Sequence, residues 1–222
     1  IVLREYQRSD RPALIDIIRD TWQYNKFASE KTARKLARAY LDSCLTNQTF
    51  TQVALVDKIP VGIIMVKNRR DHKCLLRLNL FGSVVSLFFS KESRMISKIF
   101  SNVEKIDDQL LKDSPVDYQG EVAFFVINAK YRGMGLGKKL FEAAQDYMKG
   151  QQISSFFLFT DTTCNYPFYE HRGMTRRGEH TQTFEAKGQS GALTLFIYDY
   201  QIEGSEDEKS NFSDMIYPYG TI

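Results

Sequence analysis

Only three cysteines occur in the 222 residues. Cys44, Cys74 and Cys164 are odd in number and far apart, and no Cys-x-x-Cys is present. His72, His171 and His180 do not fall at metal-ligand spacing. Neither a disulfide framework nor a zinc site is expected, no metal is assigned, and a reducing, cytoplasmic compartment follows. Long apolar runs are also missing. The longest, 75–89, is interrupted by Arg77 and Asn79 and is too short to span a bilayer, so no membrane partner is expected. The opening Ile-Val-Leu-Arg-Glu reads as a strand rather than a signal peptide. No basic run with interleaved aromatics exists, which argues against nucleic acid. The net charge is +3. Residues 203–222 hold five acids (Glu203, Glu206, Asp207, Glu208, Asp214) and one base (Lys209), so residues 1–202 carry +7. A modestly basic body suits a small anionic ligand.

What is present centres on residues 122–148. The apolar run 122–127 has the length and the β-branched or aromatic content of a buried strand. Gly133, Gly135 and Gly137 follow at alternate positions. Leu136, Leu140, Ala144 and Met148 then recur every four residues, with Ala143 and Tyr147 beside them, which is one face of a helix. The spacing therefore predicts strand, glycine loop and helix. First-turn amides of a helix lack internal partners and carry partial positive charge, and glycines let an anion reach them. Arg132, Lys138 and Lys139 add full charges. A phosphate-bearing ligand is expected at residues 132–138. A Walker loop is excluded, because Arg132 stands at its first glycine and Lys139 at its Ser/Thr. A dinucleotide fingerprint is excluded too, since the third glycine comes one residue early and the next strand holds no suitable acid. Arg-x-x-Gly-x-Gly is the pattern that fits, at Arg132, Gly135 and Gly137.

Around this stretch the chain reads in order. Residues 1–6 form a strand. Ser9 or Asp10 caps a helix with Pro12 in its first turn and Leu14, Ile17, Ile18, Thr21 and Trp22 inward. Ser29 starts a second, with Leu36, Tyr40, Leu41 and Cys44 on its inner face. Residues 49–56 and 61–67 are strands joined by a turn at 57–60. Residues 68–118 follow, apolar over 75–89 and helical in spacing up to Pro115. They read as two or three inserted helices that serve as a lid, a dimer interface or added core, the lid being favoured. A strand at 153–160 leads to a short helix that closes at Gly173. Strands around 181–186 and 192–200 form a hairpin. Residues 1–202 make one domain, and 203–222 an acidic, loosely packed tail.

The loop at Arg132, Gly135 and Gly137, the order of elements, and Phe168-Tyr169-Glu170 with Gly173-Met174 resemble the GNAT superfamily of acetyl-CoA-dependent N-acetyltransferases. The resemblance covers 1–67 and 119–200. It implies an α/β (α+β) fold whose mixed, mostly antiparallel central sheet is splayed between strands 4 and 5 and flanked by helices. Residues 68–118 are then a helical insertion between strands 3 and 4. It implies acetyl-CoA, with Arg132, Gly133, Met134, Gly135, Leu136, Gly137 and Lys138 around the coenzyme A pyrophosphate. Phe125, Val126 and Ile127 would pair with pantetheine, the Phe125 amide meeting the acetyl carbonyl, and Asn165 would reach the same arm. Glu121, eleven residues before Arg132, stands where some members carry a base, and others use water chains. Tyr169 stands where the family places its general acid. Trp22, Tyr24 and Phe27 would line the acceptor groove. The activity implied is acetyl transfer to a primary amine, small molecule or protein, by a monomer or homodimer. Two alternatives stay open: a non-catalytic acyl-CoA sensor or interaction module, and a transferase of longer acyl chains.

Overall fold

The computed structural model describes residues 1–26, 28–71, 91–186 and 189–202. The expectations for Phe27, for the apolar stretch 75–89 and for the tail 203–222 lie outside them. The strands are β1 (Val2–Arg4), β2 (Phe50–Val56), β3 (Ile59–Asn68), β4 (Gly120–Ile127), β5 (Ser155–Asp161), β6 (Thr175–Ala186) and β7 (Gln189–Gln201). They form one sheet in the order β1-β2-β3-β4-β5-β7-β6. The helices are α1 (Arg11–Thr21), α2 (Glu30–Thr46), α3 (Lys91–Asp113), α4 (Leu136–Gly150) and the single turn α5 (Pro167–Glu170).

Local chemistry accounts for the element ends. Asp10 stands at the N-cap of α1 but makes no capping bond to it, because its carboxylate is taken by Arg4 and the Gln7 amide; Pro12 sits in the first turn, where no amide partner is needed. The Ser29 hydroxyl accepts from the Thr32 amide at the start of α2. The β2–β3 turn is shorter than expected. Asp57 and Lys58 both take positive φ, 49° and 66°, which is the geometry of a two-residue hairpin, so Ile59 and Pro60 belong to β3.

Every neighbouring pair of strands is antiparallel except β4 and β5. Those two run parallel and pair only at Gly120–Phe156 and Glu121–Phe157. Beyond that point they diverge, which is the expected splay. A bulge sits just past it. Met65 pairs with Phe124 and Val66 with Val122, leaving Ala123 as the extra residue. The bulge exchanges the faces of β4. Val122 packs with α4, whereas Phe124 and Val126 pack with α1 and α2.

One face of the sheet is covered by α1 and α2, through Leu14, Ile18, Leu36 and Leu41 on Ile63, Met65 and Phe124. The opposite face is covered by α4, through Leu136, Leu140, Phe141, Ala144 and Met148 on Ile64, Val66, Phe156 and Tyr198. Burying each of the leucine, isoleucine, phenylalanine and methionine side chains among these contributes roughly 1.5–3 kcal/mol. Arg11 pairs with buried Asp42 and ties α1 to α2.

Within the insertion the described residues hold one long helix, α3. Its Phe100 packs with the α1/α2 core, and its Leu110 packs with Phe157, Leu195 and Ile197 of β5 and β7. A Cβ on Gly178 of β6 would lie 3.2 Å from Leu110 Cδ2, so the helix rests almost on the sheet backbone. α3 thus bridges the two halves of the sheet on the α1/α2 face.

The chain after α3 is pinned by a buried acid. Asp199, 1% exposed, accepts from Arg177 Nε at 2.7 Å and from the Tyr118 hydroxyl at 3.0 Å, which also contacts Ser114. Asp199→Ala removes the acceptor of Arg177 and leaves the Tyr118 hydroxyl with Ser114 alone. A loss of about 1–2 kcal/mol is expected, read from the denaturant midpoint.

Candidate active site

The loop after β4 is shaped by its glycines. Asn128 caps a turn of 3-10 helix, Ala129–Tyr131, by accepting from the Lys130 amide. Gly133 and Gly135 then take φ of 81° and 75°, a region that disfavours any Cβ. No heavy atom lies within 4 Å of a Cβ built on either. The approach to their amides is therefore open. Gly137 has the opposite reason for being glycine. Its Cβ would meet Phe168 at 3.3 Å and Ile127 at 3.4 Å, so α4 starts hard against β4 and α5. The amides of residues 133–138 have no hydrogen-bond partner among the described residues; Lys139, bonding to the Gly135 carbonyl, is the first to have one. Arg132, Met134, Lys138 and Lys139 are exposed around them, and Leu136 is buried, offering only its amide. Six unpartnered donors at the positive end of α4, with three cations beside them, fit a diphosphate.

The splay lies next to this loop. The Asn128 amide bonds to Val61 of β3. By alternation the backbone groups of Val126 and Phe124 also face β3, and those of Phe125 and Ile127 face the gap toward β5. The expected trio narrows accordingly: Phe125 and Ile127 present free edge groups, and the backbone of Val126 is committed to the ladder. An amide-bearing arm entering the gap finds half of a strand pairing waiting.

Tyr169 lies on α5 at the α4 side of the gap. Its ring packs on Phe168, Tyr198 and Phe141, with centroids 5.4, 6.1 and 6.4 Å away. Burial first, then Cys164 and Asp161, pushes its phenol above the ordinary value, so it stays protonated. The next residue braces the turn. Glu170 accepts from the Tyr198 hydroxyl at 2.7 Å and from Arg176 at 2.8 Å, and Arg176 stacks over Phe196 at 4.3 Å. Asn165 is exposed, just before α5. The Cys164 thiol contacts Asp161 at 3.7 Å and is pushed up by burial, which makes it a poor nucleophile.

The opposite face of the gap holds Glu121, whose carboxylate lies 3.8 Å from Lys67 Nζ. Near it is an aromatic cluster. Trp22 stacks on Phe124 at 5.9 Å and tilts onto Tyr40 at 5.3 Å. Phe100 of α3 stacks on Tyr40 at 5.8 Å and meets Tyr24 edge-on at 6.1 Å. Trp22 and Tyr24 are thus brought together here. Tyr24 is 4% exposed, and its hydroxyl has no partner among the described residues.

Two groups at this place were not expected from sequence: Tyr40, read only as core, and Asp107 on α3. Asp107 interrupts the inward stripe between Val103 and Leu110, and an acid at an apolar helix position was the available signal.

Residues 103–174 match the model of the acetyltransferase (GNAT) family. That segment runs from α3 through the glycine loop to the strand-end turn carrying Tyr169. With the splayed sheet around it, that segment is similar to the GNAT family of acyltransferases. No curated protein matches it in sequence. Among solved structures it resembles a ribosomal-protein-alanine N-acetyltransferase from Brucella melitensis at TM-score 0.54 and 14% identity, covering 91% of this chain and 100% of that one. PH1933 from Pyrococcus horikoshii OT3 gives 0.54 and 20% identity, over 88% and 96%. The yncA protein of Salmonella typhimurium, solved with its cofactor acetyl-CoA, gives 0.54 and 12% identity, over 91% and 94%. At these identities the likeness is one of fold.

Proposed function

We propose that the protein is an N-acetyltransferase that moves an acetyl group from acetyl-CoA to a primary amine by direct attack. One observation carries the reading: an unpartnered amide loop at residues 133–138 opens beside a gap edged by Phe125 and Ile127. The two are spaced along one strand, as a diphosphate and a pantetheine arm require.

Bound acetyl-CoA supplies the acetyl thioester. The loop amides with Arg132 and Lys138 hold the diphosphate. The backbone groups of Phe125 and Ile127 hold the arm in the gap, and the Phe125 N–H faces the carbonyl oxygen, where charge develops during attack. An ammonium cannot attack, so it first loses a proton. Glu121, on the α1/α2 face of the gap, takes it, directly or through water. The Tyr169 hydroxyl, on the other face, gives its proton to the departing sulfur, and the second proton shed by the nitrogen as the amide forms returns through water to the Tyr169 oxygen. The deactivated thiol of Cys164 leaves the amine as the attacking group. α3 walls the acceptor side.

The test is calorimetric titration with acetyl-CoA followed by thiol release across an amine panel. Binding without turnover on any amine would leave only an acyl-CoA-binding module. Glu121→Gln is expected to lower kcat/KM about 100-fold near neutral pH. The deficit should shrink as the pH rises toward the acceptor's own pKa, where the amine no longer needs a base. A rate equal to wild type across the pH range would remove Glu121 from the mechanism.

A further inference from the structure

Three carboxyl groups from three distant segments converge on the acceptor side of the gap. Glu121 of β4 is registered directly opposite Phe157 of β5, so both lie on one face. Phe157, Phe159 and Asp161 alternate along β5, which puts Asp161 on that face at the splayed end. Phe157 and Phe159 pack into the cluster that includes Leu110 of α3. Along α3, Phe100 and Asp107 are two turns apart and share a side, as do Val103 and Leu110. Phe100 touches the Tyr24–Tyr40 cluster and Leu110 touches β5 and β7, so Asp107 lies between them, over the divergence of β4 and β5.

These acids are not equally committed. Glu121 has Lys67. Asp161 accepts from the amide and hydroxyl of Thr163 and from Cys164. Asp107 Oδ1 is buried and has no partner among the described residues. The Tyr24 hydroxyl, in a side chain 4% exposed that meets Phe100 of α3 edge-on, is a second buried group left unpartnered among the described residues. Two buried polar groups without a described partner, one on α3 and one against its Phe100, are costly to a fold and suit a ligand that brings its own cation.

We infer that the acceptor is a di- or polyamine, with one amine reacting near Glu121 and a second, charged nitrogen held by Asp107 against the Tyr24–Tyr40–Phe100 aromatics. This rests on the acetyltransferase reading for the reacting nitrogen only. The charge balance supports it. Burial first, then Asp108, Asp161, Glu121 and Glu104, pushes the Asp107 carboxyl up to about 7. Lys67, paired to Glu121, and Arg69, stacked over Phe157 at 5.5 Å and bonded to the Tyr118 carbonyl, are the cations on this face, and each already has a partner. A ligand dication supplies the missing positive charge and draws Asp107 into its ionised form.

The experiment titrates 1,4-diaminobutane and n-butylamine into the full chain saturated with coenzyme A, for wild type, Asp107→Asn and Asp107→Ser. The diamine should bind at least about 10-fold tighter than the monoamine at about pH 8, and the ratio should shrink on acidification through about pH 7 as Asp107 takes up its proton. Both substitutions should bring the ratio close to one while leaving coenzyme A affinity unchanged. Equal binding of the two amines by wild type, or a ratio preserved in both variants, overturns the inference and leaves the acetyltransferase reading standing. If coenzyme A does not bind, that reading falls instead, and the amine titrations on the free protein still decide the role of Asp107. Folding has its own readout. A raised carboxyl pKa means the folded state holds a proton that the unfolded state has released, so this group's contribution to stability falls as pH rises from about 4 to about 7. Asp107→Asn should therefore raise the melting temperature at about pH 8. A fall would show Asp107 already compensated, and would count against the inference.

Discussion

Replacing Tyr169 with phenylalanine is expected to lower kcat about 100-fold or more with acetyl-CoA affinity unchanged, the size of effect seen for a positioned general acid. The substitution is mild everywhere else. The ring contacts with Phe141, Phe168 and Tyr198 survive it. The lost hydroxyl has no hydrogen-bond partner among the described residues, so stability should hardly change. Burial and the neighbouring Cys164 and Asp161 raise the phenol above its ordinary value. It therefore carries its proton through the whole neutral range and should contribute no alkaline limb to the wild-type rate below about pH 10. Stopped-flow or steady-state thiol release from about pH 6 to about pH 9 reads all of this. A variant as fast as wild type would return Tyr169 to the packing of α5.

The second large effect belongs to the loop. Gly135→Val is expected to weaken acetyl-CoA binding on the order of 100-fold. Its side chain projects into the open space above the loop amides, where no protein atom lies within 4 Å. Loss of two charge-assisted hydrogen bonds at about 1.5 kcal/mol each accounts for that factor. The φ of 75° adds a separate cost, about 1–2 kcal/mol for a left-handed residue, which appears as a lower melting temperature. Gly135→Ala separates the two, since it carries the strain with far less bulk. Calorimetry on both variants, with melting curves beside it, distinguishes a blocked site from a weakened fold. Undiminished affinity in the valine variant would mean that the diphosphate lies elsewhere.

Much of the architecture was legible in residue order. The four-residue spacing of Leu136, Leu140, Ala144 and Met148 marked the buried face of α4, though Phe141, fully buried among them, escaped the count. Asp10, Pro12 and Ser29 marked where α1 and α2 begin. The hairpin at 57–60 was placed correctly and drawn too long, because the left-handed φ of Asp57 and Lys58 is not written in their side chains. The insertion was harder. Its helical spacing was visible up to Pro115, but the spacing does not say which surface a helix will cover. Asp107 is not marked by its sequence, because an acid between Val103 and Leu110 looks like a break in the stripe until the neighbours of that stripe are known.

Residue order alone marked the glycine loop and the helix behind it, and with them the proposed place for an anion. These depend on residues adjacent in sequence, on the absence of side chains and on the free amides of a helix start. Folding decided the rest. The extra residue Ala123 exchanges the faces of β4, the two-pair contact with β5 opens the gap, and α3 brings Asp107 over it. Register and crossing position are set by packing between segments dozens of residues apart, so no local pattern encodes which acids come to lie on one face of the sheet.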